Sequence, residues 1–183
     1  MKTLRLVGAS ALIALACLTG TASANPMVGG AAMSPTKNIV ENAMNSQDHT
    51  TLVAAVKAGG LVETLEGVGP FTVFAPTNEA FAALPGGTVD TLLKPENKDM
   101  LDKILTYHVV AGRLDSKALD KMIAAGDGKA MLKTVQGDML TVMGHGKMLT
   151  VTDDKGNTAM ITIPNVYQSN GVILVVDKVL MPN

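Results

Sequence analysis

The run MLTVMGHGKM from Met139 to Met148 gathers three methionines and a histidine. Thioether sulfur and imidazole nitrogen are donors that suit monovalent copper. Such a site would need Met143, His145 and Met148 to meet at one hairpin tip. Alternate residues of a strand share a face, so Met139 and Met143 are expected to face the core, and a single histidine at a tip holds metal weakly. An ordinary hairpin is the expectation here, with no metal and no cofactor; the copper set Met143, His145 and Met148 is the alternative.

Other reactive-looking residues yield less. Asp153, Asp154 and Asn157 bracket Gly156, but the twelve-residue calcium loop with its terminal glutamate is absent, which leaves a charged turn. Glu63 and Glu66 stand three apart on a short helical segment, where a solvated face explains them. Three histidines, His49, His108 and His145, are the only imidazole bases. The chain has no Gly-x-Ser-x-Gly elbow, no His-Glu-x-x-His pair and no phosphate-binding glycine loop. The expectation is a protein that is not an enzyme. His108 itself falls in register with Leu101 and Ile104, so it reads as a hydrogen-bonded core histidine, with Thr77 or Asn78 as its expected partners.

The elements that must position these residues can be read in order. NIVENAMNSQDHTTLVAAVKAGGLVETLEG carries apolar residues at helical spacing, with Asp48 expected as an N-cap and Gly59 and Gly67 as stops. FTVFAP is a buried strand ended by Pro76, after which Thr77 caps a short helix through Asn78, Glu79 and Phe81. Beyond Pro95 the spacing predicts a helix that puts Met100, Leu101, Ile104, Leu105 and His108 on one face. Another helix is expected from Asp115 to Ala125. KAMLKTV, DMLTVMG, KMLTVTD, TAMITIP and GVILVVD then read as strands separated by turn residues, an antiparallel meander. Helices in the first half and antiparallel strands in the second imply an α+β fold.

The N-terminus carries Lys2 and Arg5 ahead of an uncharged run from Leu6 to Leu18 and the small residues Ala22-Ser23-Ala24. This is the pattern of a cleaved export signal, so residues 1–24 are expected to be removed, leaving a periplasmic, extracellular or cell-surface protein. Cys17 follows Ala14-Leu15-Ala16, a poor lipoprotein box, and leaves with the signal. The remainder then has no cysteine and no disulfide. Loss of Lys2 and Arg5 moves the net charge from −1 to −3, which argues against nucleic acid and anionic membranes as partners. No later segment approaches the roughly 20 apolar residues that span a bilayer. Residues 25–37, NPMVGGAAMSPTK, mix Gly, Pro and small residues without periodicity and are expected to form a flexible tether. Residues 38–183 are expected to form one domain, its core filled by aliphatic side chains and methionine because the chain has 3 Phe, 2 Tyr and no Trp.

Three stretches carry a resemblance. FTVFAPTNEAFAALP at Phe71–Pro85, LDKILTYHVVAGRL at Leu101–Leu114 and NGVILVVDKVLMP at Asn170–Pro182 are similar, in that order, to the homology segments of the fasciclin domain family. With the leading segment PTKNIVENAMNSQDHTTLVAAVKAGGL the resemblance covers about residues 35–182. It implies a wedge of two short β-sheets with flanking helices, and a role as a non-enzymatic binding module in adhesion to cells, matrix or envelope polymers through a protein or polysaccharide surface partner. A periplasmic small-ligand or copper-binding protein is the alternative. The family's Tyr-His motif, linked to partner contact in animal relatives, maps onto Tyr107 and His108; read from the residues themselves, both are expected as fold determinants along with Phe71, Phe74, Thr77, Asn78, Phe81 and Leu105. Many relatives carry a histidine in the last segment where this chain has Leu174.

Overall fold

The computed structural model describes residues 26–145 and 148–183, so the expected signal segment and Cys17 lie outside the described residues. In chain order the elements are β1 (Met27–Val28), β2 (Ala31–Ala32), α1 (Ile39–Asn45), α2 (Thr50–Gly59), α3 (Val62–Glu66), β3 (Phe71–Pro76), α4 (Asn78–Ala82), α5 (Thr88–Leu92), α6 (Lys98–Tyr107) and β4 (Val109–Ala111). They continue with α7 (Ser116–Ala125), β5 (Lys129–Lys133), β6 (Met139–His145), β7 (Met148–Thr152), β8 (Thr158–Gln168) and β9 (Gly171–Val176). Helices thus dominate the first half and strands the second, the α+β arrangement expected.

Local chemistry explains most boundaries. Asn38 accepts from the Glu41 amide while the Glu41 carboxylate accepts from the Asn38 amide, a reciprocal cap that starts α1. Thr77 and Asp115 cap α4 and α7 through the amides of Ala80 and Ala118. Gly60, at φ +74°, closes α2 in the left-handed region that favours glycine. Asp48 does not cap α2. It lies in a 3₁₀ turn over Gln47–His49, and α2 receives no cap from its own N-terminal side chain.

Seven strands form one sheet in the order β4-β3-β9-β8-β7-β6-β5. The meander β5 to β9 is antiparallel, while β3 and β9 pair in parallel, with Phe71 opposite Gly171 and Phe74 opposite Leu174. Parallel neighbours are covered on both faces. Accordingly β9 is buried at every position, with Ile173 and Val175 in one apolar cluster and Leu174 and Val176 in the other. Gly171 permits the pairing, since a Cβ there would stand 2.2 Å from the Phe71 carbonyl oxygen.

The two sheets of the expected wedge are the two halves of this order. β8 belongs to both: its first residues pair with β7 and its last with β9, with register slips at Ile161, Ile163 and Val166. Val110 of β4 also bridges Thr134 beyond β5, which bends the order back toward a barrel. One cluster lies between α1, α2, α6 and the β3–β9 pair. The other fills the space between α7 and the β5–β8 half, and contains Phe74, Tyr107, Leu119, Leu140 and Leu174.

Residues 27–33 overturn the tether expected over 25–37. β1 and β2 pair as a small hairpin, and Val28 and Met33 are buried in the first cluster. Fully buried Asn42 binds both the amide and the carbonyl of Ser34, at 2.9 and 2.7 Å, and donates to the Gln168 side chain. A packed segment of two-residue strands has no period to read, so composition alone suggested a linker. Met100, expected on the buried face of α6, is instead 57% exposed.

Candidate binding surface

α6 delivers Tyr107 and His108 into the interior. Its apolar face, Leu101, Ile104 and Leu105, packs on the first cluster, so the helix end is driven inward and Tyr107 is 0% and His108 3% exposed. The Tyr107 hydroxyl donates to the Met139 carbonyl at 3.1 Å and accepts the Asp154 amide at 3.0 Å. It therefore pins α6 to the start of β6 and to the turn after β7. Burial pushes its pKa up to about 12.

His108 is satisfied at both ring nitrogens. Its Nε2 lies 3.0 Å from the Leu180 amide and its Nδ1 2.8 Å from the Ile104 carbonyl. An amide can only donate, so Nε2 is the acceptor and the proton sits on Nδ1, a neutral imidazole. Burial lowers its pKa from 6.5 to about 4, opposed by the Ile104 carbonyl and the charge of Asp153. Neither Thr77 nor Asn78, the expected partners, contacts this ring. They stand beyond the far end of β3, whereas the ring meets its own helix and the chain terminus.

Asp153 works beside it. Its Oδ1 accepts the amides of Lys155 and Asn157, and its Oδ2 accepts the Asn157 side chain and the Met181 amide, all at 2.8–3.0 Å. The carboxylate is thereby saturated by protein donors, and Asp153 is buried inside the turn that it organises. The Leu180 and Met181 amides are thus held by His108 and Asp153, which bind the end of the chain to the second cluster.

Asn78 has a different task. Its Oδ1 accepts the Thr51 amide at 3.0 Å and the Thr50 hydroxyl at 3.2 Å, and its Nδ2 donates to the Gln47 carbonyl at 2.7 Å. The residue supplies from α4 the cap that α2 lacks. Asn78→Ala is expected to cost about 1–2 kcal/mol, read as a lowered urea midpoint at unchanged slope. Phe74 and Phe81 are buried and Phe71 is half-buried, each on a core cluster.

Asn170 was legible only as part of an Asn-Gly turn. Its Oδ1 accepts the Ile39 amide, and its Nδ2 donates to the carbonyls of Leu65 and Gly67. It ties its turn to two segments that each lie more than 100 residues earlier in sequence, a role with no local signature.

The hairpin β6–β7 places His145 opposite Met148 and Met143 opposite Thr150. Met139 and Met143 do not face the core. Leu140 and Val142 do, both fully buried, while the methionines are half-buried on the outer side. Both alternating sets of β6 are largely apolar, so the pattern could not say which was inside. Among the described residues no group of three or more His, Cys, Asp or Glu is placed to hold a metal ion, and no helix is long and apolar enough to cross a membrane.

Turns and the outer face of β5–β8 form one part of the exposed surface, and the outer faces of the helices, where Met44, Met100 and Met122 are exposed, form the rest. An apolar gap of about 30 Å³ lies between α1, α2 and β3, lined by residues such as Val56, Val73 and His108, and open surface clefts of about 680 and 590 Å³ lie around Gly69, Arg113 and Asn170 and beside α7.

The Fasciclin domain model matches residues 47–182. Protein sll1483 of Synechocystis sp. is 42% identical over 190 residues, covering 95% of this chain and 97% of that protein. The cell surface glycolipoprotein MPB83 of Mycobacterium bovis is 37% identical over 160 residues, 85% of this chain and 64% of that one. Among solved structures, a FAS1 domain pair from the insect cell adhesion molecule Fasciclin I shares the fold at a TM-score of 0.71 and 16% identity, over 79% of this chain and 51% of that one.

Proposed function

This chain belongs to the fasciclin domain family, and from that premise we propose that it is an exported, non-enzymatic binding module that acts in adhesion to cells, matrix or envelope polymers. The observation that carries this reading is where the reactive side chains go. The imidazoles of His49 and His108 are buried, with pKa values lowered chiefly by burial, and Asp153 is saturated by amides. His108 and Asp153 are committed to holding a rigid scaffold, and His49 is enclosed beside Ser46, to which its Nδ1 is hydrogen-bonded; this suits recognition by the turns that scaffold displays.

Tyr107 and His108 hold the fold in this reading and do not touch a partner, because both are enclosed. Contact falls to the turns after the meander strands and to the outer sheet face, against a protein or polysaccharide surface. The fold shared with an insect cell adhesion molecule and the likeness to a cell-surface mycobacterial protein support the class of role and an extracytoplasmic location. A lone domain gains strength mainly by display in many copies.

The test is retention of beads densely coated with the folded protein on the organism's own cells and on matrix polymers, against beads carrying heat-unfolded protein. Retention of the folded form alone is expected. Equal retention of both forms, or none on any surface, would overturn the adhesive reading.

A further inference from the structure

Methionine stands against its packing preference on the β5–β8 half-sheet. The inward positions hold Leu140, Val142, Leu149 and Val151, all buried. The outward positions alternate threonine and lysine with Met131, Met139, Met143, Met148 and Met160, of which Met131, Met148 and Met160 are 58, 54 and 41% exposed. Thioethers usually serve as gap fillers in cores. Here the gaps are filled by aliphatic side chains and the thioethers face outward.

The strand register brings three of them together. Met143 pairs with Thr150, and Thr150 pairs with Met160, so the two methionines flank one short threonine in a single row across β6, β7 and β8. Met148 lies two residues before Thr150 on the same face, diagonal to both. Diagonal neighbours are about 7–8 Å apart and the two strand spacings between Met143 and Met160 come to about 10 Å, spans that long, unbranched side chains bridge by leaning over Thr150. The Thr150 hydroxyl donates back to the Met143 carbonyl at 3.4 Å, and the short side chain leaves room above it for the longer methionines. Met148 and Met160 also line a common surface depression beside α7.

We propose that Met143, Met148 and Met160 form a three-thioether site for a soft monovalent cation, copper(I), on the outer face of the β6–β8 sheet. Three neutral sulfurs suit a soft ion of low charge and reject hard divalent ones. The set differs from the sequence-level alternative Met143, His145 and Met148: Met160 enters because the meander lays β8 beside β7.

Silver(I) serves as the redox-inert probe. The intact protein, labelled at the methionine methyl groups, is titrated with silver(I) and followed by NMR. The methyl signals of Met143, Met148 and Met160 are expected to move together and saturate at one equivalent, while those of Met27, Met44 and Met100 stay in place. M148L is expected to lose the saturating shift and M100L to retain it, both melting as the unaltered protein does without metal, since the leucine swap nearly conserves volume at exposed positions. Copper(I) bound under reducing conditions is expected to show sulfur-only scattering in X-ray absorption. A gradual shift shared by all exposed methionines, no shift at all, or saturation that survives in M148L would each overturn the proposal.

Discussion

Tyr107→Ala is expected to lower stability by about 4 kcal/mol, the loss typical of a large aromatic removed from a packed interior. Tyr107 is fully enclosed in the second cluster, so the substitution opens a cavity and also strands the Met139 carbonyl and Asp154 amide that its hydroxyl joins. Tyr107→Phe keeps the ring and removes only the hydroxyl, and should cost about 1–2 kcal/mol. Urea denaturation of the pair separates cavity from hydrogen bonds. The same proteins decide what the Tyr-His motif does: bead retention per folded molecule should be unchanged in Tyr107→Phe, and lost in Tyr107→Ala only as far as the protein unfolds. Retention lost in Tyr107→Phe at an intact melting point would make the tyrosine a contact residue and sink the structural assignment.

The second large effect is acid sensitivity between pH 6.5 and 4. His108 takes up a proton near pH 6.5 in the unfolded chain but only near pH 4 in the folded one, because burial disfavours the imidazolium and the Leu180 amide needs Nε2 as an acceptor. Between those values the unfolded state binds more protons, so stability rises with pH. The contribution is fully present above about pH 6.5 and is lost as the pH falls through 4. That interval corresponds to about 3 kcal/mol. His49, lowered by the same cause, acts in the same direction. His108→Gln should be less stable at pH 7.5 yet show a flatter decline toward pH 4, and comparing the two proteins cancels the carboxylates that titrate in the same range. Parallel pH profiles would remove His108 as the cause.

The sequence alone determined the elements whose cause is local. Thr77 and Asp115 announce their helices because a side-chain oxygen three residues before a free amide is a cap wherever it occurs. The meander followed from apolar runs cut by turn residues, and the family from three ordered segments. Inward placement of His108 was legible from its register with Leu101 and Ile104, but its partners were not.

Packing, by contrast, chose the partners of residues far apart in the chain. The hydrogen bonds of His108 end on Leu180, those of Asn170 on Ile39 and Leu65, and the cap of α2 comes from Asn78. Hydrogen-bonding capacity is written in a residue type, whereas the partner is set by which backbone the packing brings within 3 Å. The hairpin at 27–32 escaped for a related reason: strands of two residues have no period, and their burial comes wholly from the surface they lie on. The outer face of β5–β8 is the sharpest case. In MLTVM, methionine alternates with leucine and valine, both sets apolar, and only closure of the sheet over α7 turned Leu140 and Val142 inward and left Met139 and Met143 outside.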